Sequence, residues 1–277
     1  MTLPWRSIRI DDCTDREGVI AALFDEGSQG IQEDADAILT HFPRDTDTDA
    51  IVAALKRVDP GAVIVVGDAP PVNWDEWRAD VGAHRVGALI VAPPWLADQL
   101  DPAATIVIDP AMAFGTGEHP TTRGVIRLMQ NVIHAGDTVA DLGAGSAVLS
   151  IAAARLGAAR VAAIELDADA VETAEANIAR NGVKDVVRFL QGDAIVLLAL
   201  VAPVRVVLAN IVSSVLAELM PVTASALTPD GEAILSGMLV EERDMMLALF
   251  SRGGWRVTAE DIEGDWWSVA LRRADFQ

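Results

Sequence analysis

The sequence predicts an α/β protein in which a mostly parallel β-sheet, with helices on both faces, follows a small α+β domain. From residue 105 onward, short apolar runs alternate with stretches of helical periodicity, as they do in open parallel sheets. A turn containing Gly143 and Gly145 joins one of those runs directly to a helix. Two Pro-Pro pairs, at 70–71 and 93–94, mark connections that separate the leading residues from the rest.

The leading domain, residues 1–68, has the predicted element order βαββαβ. Alternating apolar and polar residues predict a strand at Trp5–Ile10, and helical spacing predicts a helix at Arg16–Phe24 that ends near Gly27. The other predicted elements are strands at 30–33, 37–42 and 62–66 and a helix at 49–58. This order is that of a ferredoxin-like domain.

Residues 69–104 are the predicted inter-domain linker region, in which an amphipathic stretch at 74–81 indicates a helix and a strand is expected to follow. The main domain, residues 105–277, then alternates seven strands with helices. Its predicted strands are 139–142, 161–166, 187–190, 205–209, 233–236, 256–263 and 267–272, and its predicted helices are 147–156, 168–181, 212–226 and 241–250. This alternation predicts a Rossmann-like sheet.

Composition narrows the class of protein. Hydrophobic residues make up 51% of the 277, enough for domain-sized cores without disulfide or metal staples. Cys13 is the single cysteine, so we expect no disulfide and no metal site built from several cysteines. The apolar stretch 194–212 is interrupted by Pro203 and Arg205, which favours a buried helix and strand over a membrane span. We therefore expect a soluble, cytoplasmic protein.

The net charge of −20 bears on the binding partners. Free nucleic acid would be repelled by most of this surface, since such binding depends on Lys and Arg neutralising phosphates. A basic protein would be attracted to it. The charge is equally compatible with a role in solubility alone.

The turn around Gly143 and Gly145 has the layout of a nucleotide-cofactor site. Both glycines allow a tight turn and a close approach of the backbone to a ligand, and the helix that follows offers free N–H groups. Glu165 ends the next strand, twenty residues after Gly145, and is placed to accept hydrogen bonds from a ribose diol. The layout serves both dinucleotides and S-adenosylmethionine.

Two details favour S-adenosylmethionine. The third glycine of the dinucleotide motif is replaced by Val148. Asp141 stands two residues before the first glycine, and Asp193 follows the next strand, where it would reach an adenine. Further support comes from the Gly- and Thr-rich loop 108–122 and from Asn210, which follows an apolar strand whose carboxyl end faces the same crevice.

Together these residues resemble the ribosomal protein L11 methyltransferase (PrmA) family over nearly the whole chain. The most specific match is the loop from Asp109-Pro110 to Thr122, and 141–146, Glu165, 209–211 and 235–239 also match. The resemblance implies a seven-stranded S-adenosylmethionine methyltransferase domain that methylates lysine and α-amino groups. It also implies that the ferredoxin-like domain recognises the ribosomal protein. With the charge and the interrupted apolar stretch, the expected partner is a basic protein, with no direct DNA binding and no membrane.

The resemblance also implies the site residues. By motif position, the cofactor contacts are Thr122, Gly143, Gly145, Glu165, Asn210 and, in the loop, Phe114 and Thr116, with Asp193 added for the adenine. Ala111, Ala144 and Ala147 depart from the family pattern, and this puts the substrate in doubt more than the cofactor.

Methyl transfer requires a neutral amine aligned with the methyl group, and we expect Asn210 to orient that amine by accepting one of its N–H bonds. The loop 114–119 would close over the cofactor. His119 is a candidate proton acceptor, although a packing role is favoured by its Gly-Thr-Gly context.

Other functions remain open on the sequence. They are methylation of another protein lysine, such as that of an electron-transfer flavoprotein; methylation of a small molecule; and hydride transfer by a Rossmann-type NAD-dependent oxidoreductase. A non-catalytic interaction protein is a further alternative if Ala147 prevents cofactor binding.

Overall fold

The computed structural model describes residues 5–28, 30–34, 37–68, 81–109 and 117–274. The chain divides into two compact units, residues 1–78 and 79–277. Among the helices in the described ranges, none combines the length and the apolar character that a membrane span requires.

The first unit is a four-stranded antiparallel sheet with two helices. Its elements are β1 (Trp5–Asp11), α1 (Arg16–Asp25), β2 (Ile31–Asp34), β3 (Ala37–Pro43), α2 (Thr48–Val58) and β4 (Val63–Asp68). The strand order β2-β3-β1-β4 confirms the predicted ferredoxin-like arrangement. Its core is apolar, with Ile8, Ile10 and Phe42 from the sheet packed against Val19 and Leu55 from the helices.

The second unit begins with a small three-stranded sheet. It contains β5 (His84–Val86), β6 (Leu89–Ala92) and β7 (Thr105–Val107), with the short helix α3 (Pro94–Ala97) between the last two strands. Residues 84–104, which the sequence analysis assigned to the linker region, therefore pair and fold within this unit. The helix predicted at 74–81 falls outside the described residues apart from Val81.

The main sheet of the second unit has seven strands in the order β10-β9-β8-β11-β12-β14-β13. The strands are β8 (Thr138–Leu142), β9 (Arg160–Glu165), β10 (Val187–Gln191), β11 (Val204–Asn210), β12 (Leu227–Leu239), β13 (Trp255–Glu263) and β14 (Trp266–Arg273). The first five strands in this order, from β10 to β12, pair in parallel with their neighbours. The sixth, β14, pairs antiparallel with both β12 and β13. The seven predicted strands and the Rossmann-like class are confirmed.

Helices connect these strands and cover the sheet. They are α4 (Pro120–Val132), α5 (Val148–Arg155), α6 (Ala170–Arg180), α7 (Ala194–Val201), α8 (Ser213–Ala226) and α9 (Arg243–Arg252). The central strands are buried on both faces, and two apolar cores lie on either side of them. The strand order reverses between β8 and β11, and ligands of open α/β sheets bind beyond the carboxyl ends of the strands at such a point.

Candidate active site

The ends of five neighbouring strands form one row of residues at the carboxyl edge of the sheet. Gln191 pairs with Glu165, and Asn210 pairs with Ser236. Between them, Gly143 follows Leu142, which pairs with both Ile164 and Ala209. The register therefore brings the glycine turn, Glu165 and Asn210 side by side, as the sequence analysis expected.

The glycine turn uses a left-handed backbone three times. Gly143, Gly145 and Ala147 have φ values of +69°, +50° and +66°. At Gly143 a Cβ atom would lie 2.9 Å from Cδ1 of Ile211, so a larger residue would have to move that side chain and would also adopt a strained backbone conformation. Ala147 adopts the same left-handed conformation with a buried methyl group, at a cost of about 1 kcal/mol. A glycine at this position would avoid that cost.

Asp141 lies beneath the turn and is completely buried. Its Oδ2 accepts a 2.6 Å hydrogen bond from the Ser150 hydroxyl, while no described group bonds its Oδ1. The pKa of this carboxyl is raised to about 7, chiefly by burial and also by the nearby negative charge of Glu165, while the Ser150 hydrogen bonds oppose the shift. The acid that distinguished the two cofactor classes in the sequence is thus a buried carboxyl with one unbonded oxygen.

Glu165 accepts a hydrogen bond from the glycine turn and also lines the candidate site. Its Oε2 accepts from the Gly145 N–H at 2.9 Å, and its Oε1 accepts from the Asp167 N–H at 3.0 Å. A carboxylate has about four acceptor positions, so both oxygens can accept further hydrogen bonds. Glu165 is half-buried and therefore can reach a ligand as well as the turn.

A cleft of about 320 Å³ lies in front of the turn. It brings together three of the predicted site residues, Gly143, Glu165 and Asp193. The other described lining residues, which the sequence analysis did not assign to the site, are Ile164, Leu166, Gly192, Ala194, Ile195, Ile211, Val215, Glu218 and Leu219. Asp193 also caps α7, because its side chain accepts from the Ile195 N–H at 2.7 Å.

Charge in the cleft favours a cationic ligand. Glu165, Asp193 and Glu218 are carboxylates, and the described lining contains no Lys, Arg or His. The pyrophosphate of a dinucleotide would meet these negative charges, whereas a sulfonium and an ammonium group would be attracted by them. The cleft thus fits S-adenosylmethionine better than NAD, which the glycine turn alone left undecided.

Asn210 contacts Thr122 at the end of β11. The Asn210 amide donates from Nδ2 to the Thr122 hydroxyl over 3.5 Å, a long hydrogen bond. Thr122 is fully buried and Asn210 is half-buried. The two residues lie next to the described cleft, since Ile211 lines it, but neither is part of its lining.

Gly237 fixes the path of the chain beyond Asn210. A Cβ atom there would lie 2.4 Å from the Ile211 carbonyl oxygen, and its φ is +89°. The register of β12 against β14 shifts between Leu235 and Met238, around this glycine. Glycine is therefore required here, although the sequence analysis assigned no role to it.

His119 and Arg123 organise the start of α4. His119 caps the helix, its Nδ1 lies 2.7 Å from the Thr121 hydroxyl, and its ring packs against Trp266 with centroids 4.6 Å apart. Burial and the Arg123 charge lower the pKa of His119. Arg123 donates to the Gly117 and Glu118 carbonyls and to Glu263. These contacts agree with the packing role for His119.

Two buried asparagines at the end of α6 were missed from the sequence: Asn177 lies in the last turn, and Asn181 is the C-cap residue. They connect the glycine turn, β7 and the residue Asp109 that follows it. Asn177 donates to the Ser146 carbonyl at 3.2 Å and accepts from the Asp109 N–H at 3.0 Å. Asn181 exchanges two hydrogen bonds with the backbone of Val107, at 2.9 and 2.7 Å. Phe114 and Thr116, the predicted cofactor contacts in the loop, lie outside the described residues.

Comparison with known proteins places this geometry in a family. Residues 6–274 match the family model described as Ribosomal protein L11 methyltransferase (PrmA). Two relatives of that name are similar to the chain. The protein of Pelotomaculum thermopropionicum is 36% identical over 80% of this chain and 73% of its own length. The protein of Thermus thermophilus is 33% identical over 92% of this chain and 94% of its own.

Solved structures agree with these sequence matches. The ribosomal protein L11 methylase of Lactobacillus delbrueckii subsp. bulgaricus superposes with a TM-score of 0.63 at 28% identity. It covers 70% of this chain and 100% of that one. The structure described as M. jannaschii tRNA m1G37 methyltransferase has a TM-score of 0.52 at 13% identity, over 98% of this chain and 100% of that one. This likeness shows the fold alone.

Proposed function

The chain belongs to the ribosomal protein L11 methyltransferase family, and from this membership we propose that it methylates lysine and α-amino groups of a large-subunit ribosomal protein. It is an enzyme that takes its methyl group from S-adenosylmethionine. The single observation that supports this donor best is the cleft beside the glycine turn, whose described charges are the carboxylates of Glu165, Asp193 and Glu218.

The residues that would hold the cofactor follow from their positions. Glu165 has acceptor capacity left for a ribose diol, and the left-handed backbone at Gly143 and Gly145 keeps that side of the cleft open. Asp193 borders the same cleft from the end of β10. Thr122 would act by accepting the hydrogen bond that positions the Asn210 side chain. Phe114 and Thr116 remain cofactor contacts predicted from the sequence.

When bound, S-adenosylmethionine supplies an electrophilic methyl group on a positive sulfonium. The chain has to deliver a neutral amine, because a lysine with its ordinary pKa of about 10.4 is protonated at neutral pH. Apolar side chains at the cleft, such as Ile211 and Leu219, remove water and so favour the neutral amine. The Asn210 carbonyl oxygen would accept one N–H of that amine, while its NH₂ group is directed to Thr122.

A methyl-transfer assay tests the substrate. We expect the full chain, given methyl-labelled S-adenosylmethionine and purified ribosomal protein L11, to place label on lysine side chains or the α-amino group of L11. Bovine serum albumin, an acidic protein, serves as the control and should stay unlabelled, because the strongly negative enzyme repels it. Binding of the cofactor without any label on L11 would contradict the proposed substrate.

A further inference from the structure

Helix α7 exposes an apolar face where a surface helix ordinarily has polar residues. Its sequence, Ala-Ile-Val-Leu-Leu-Ala-Leu-Val, contains only apolar residues. Leu198 is the buried side chain, while Ile195, Val196, Ala199 and Leu200 are exposed. Ile195 lies above Ala199, and Val196 lies above Leu200, because residues four apart are on the same face of a helix. The two pairs are adjacent, so all four side chains lie on one side of α7. The outer face of α7 is therefore apolar.

The apolar face continues to the mouth of the cleft. Leu166, Ile195 and Val215 line the cleft and are also exposed, Leu166 to 72%. Val196 is 58% exposed and Leu200 is 75% exposed, the latter one helical turn further along α7. We define the apolar rim as the exposed apolar side chains of the cleft lining and of the segments that supply it; they are Leu166, Ile195, Val196, Leu200, Val212 and Val215. Exposed apolar side chains that cluster beside a cleft are typical of a binding surface, whereas scattered ones need no explanation.

Carboxylates accompany the apolar rim. The rim side chains come from the segments 165–169, 193–200 and 210–218, which contain no Lys, Arg or His. Their charged residues are Glu165, Asp167, Asp169, Asp193 and Glu218. These three segments combine apolar side chains with negative charge alone, and they therefore complement a protein that has apolar side chains next to Lys or Arg.

We propose that the apolar rim docks the substrate protein, through an apolar part of its surface that lies beside the amine to be methylated. This inference rests on the proposed function, since that function requires a basic protein to bring an amine to the end of β11. Val212 follows Asn210 by two residues, so a protein whose amine reaches Asn210 also meets the rim. Apolar contact supplies affinity there, and the carboxylates select a basic partner.

The double variant V196Q/L200Q tests the proposal. Neither residue lines the cleft, and both side chains are exposed, so the variant should fold and bind S-adenosylmethionine as the wild type does. We expect its KM for ribosomal protein L11 to rise about tenfold or more, because two docking contacts become polar. Its kcat and its Kd for S-adenosylmethionine should change less than about twofold, since the residues act only in docking.

The matched control is M245Q. Met245 is 58% exposed on α9, as Val196 is on α7, but it is not part of the rim. Its KM for L11 should equal that of the wild type. An unchanged KM for L11 in V196Q/L200Q would overturn the proposed docking of the substrate on the rim. A wild-type dimer that becomes monomeric in the double variant would also overturn it, because a second copy of the chain would then cover the rim. Absence of methyl transfer by the wild type would instead contradict the proposed function.

Discussion

Replacing Asn210 with Ala is expected to lower kcat about 100-fold and to change the Kd for S-adenosylmethionine less than about threefold. The amide lies at the end of β11 with its NH₂ group toward Thr122, so its carbonyl oxygen is available to orient an amine. Removing the amide leaves the cleft lining intact, because Asn210 is not part of it. Single-turnover rates and calorimetric titration of the same preparation measure the two quantities.

The control for this variant is N131A, at an exposed asparagine of α4, which should keep the wild-type kcat. Equal losses of turnover and of cofactor affinity in N210A would argue against an orienting role and for a role in binding alone. A loss of turnover with unchanged affinity would also separate Asn210 from a general base, if the pH dependence of the remaining activity stayed that of the wild type.

The second large effect concerns Asp141 and stability. Burial raises the pKa of this carboxyl from 3.8 to about 7, so the folded protein binds more protons than the unfolded chain between these two values. Stability is then lost as the pH rises from about 4 to about 7. Three pKa units correspond to at most about 4 kcal/mol, or roughly 10 °C in the Tm of a unit of this size.

The variant D141N removes this titration, because an amide stays neutral at every pH. The Tm of D141N minus that of the wild type should therefore increase between about pH 4 and about pH 8. Thermal unfolding across that range measures the difference, with D185N as the control at an exposed aspartate. Parallel pH profiles of D141N and the wild type would show that Asp141 is charged in the folded protein, contrary to this account.

Much of the site could be predicted from the sequence because it lies where local patterns meet. Gly143, Glu165 and Asn210 each follow an apolar strand, and parallel strands bring their carboxyl ends to one edge of the sheet. The pairings Gln191 with Glu165 and Asn210 with Ser236 confirm that reasoning. Small differences in the same motif distinguish S-adenosylmethionine from a dinucleotide as the predicted cofactor, such as Val148 in place of a third glycine.

Other features depend on long-range contacts and leave no local pattern. Asn177 and Asn181 have the spacing of an ordinary helix surface, yet both are buried and bond to backbone groups far away in the chain. Gly237 is required by the approach of the Ile211 carbonyl, which no spacing rule indicates. The apolar residues of α7 predicted a buried helix, whereas the structure leaves most of their side chains exposed or half-buried.

The region between the two units was predicted with less success. Two Pro-Pro pairs indicated a linker over 69–104, but residues 84–92 form β5 and β6, which pair with β7 in the second unit. The strands have only three and four residues, and runs that short have little periodicity. Their pairing depends on β7, which is next to β6 in the small sheet. The Asn181 side chain hydrogen-bonds to the β7 residue Val107 and so positions that strand.

The measurement that tests the central claim most directly is a calorimetric titration of the full chain with S-adenosylmethionine and, separately, with NAD. The cleft beside Gly143 contains the carboxylates of Glu165, Asp193 and Glu218 and no described cation, so it should bind the sulfonium cofactor and reject the dinucleotide. We predict saturable one-to-one binding of S-adenosylmethionine and no heat of binding with NAD at millimolar concentration. Saturable binding of NAD, or no heat with millimolar S-adenosylmethionine, would contradict the account.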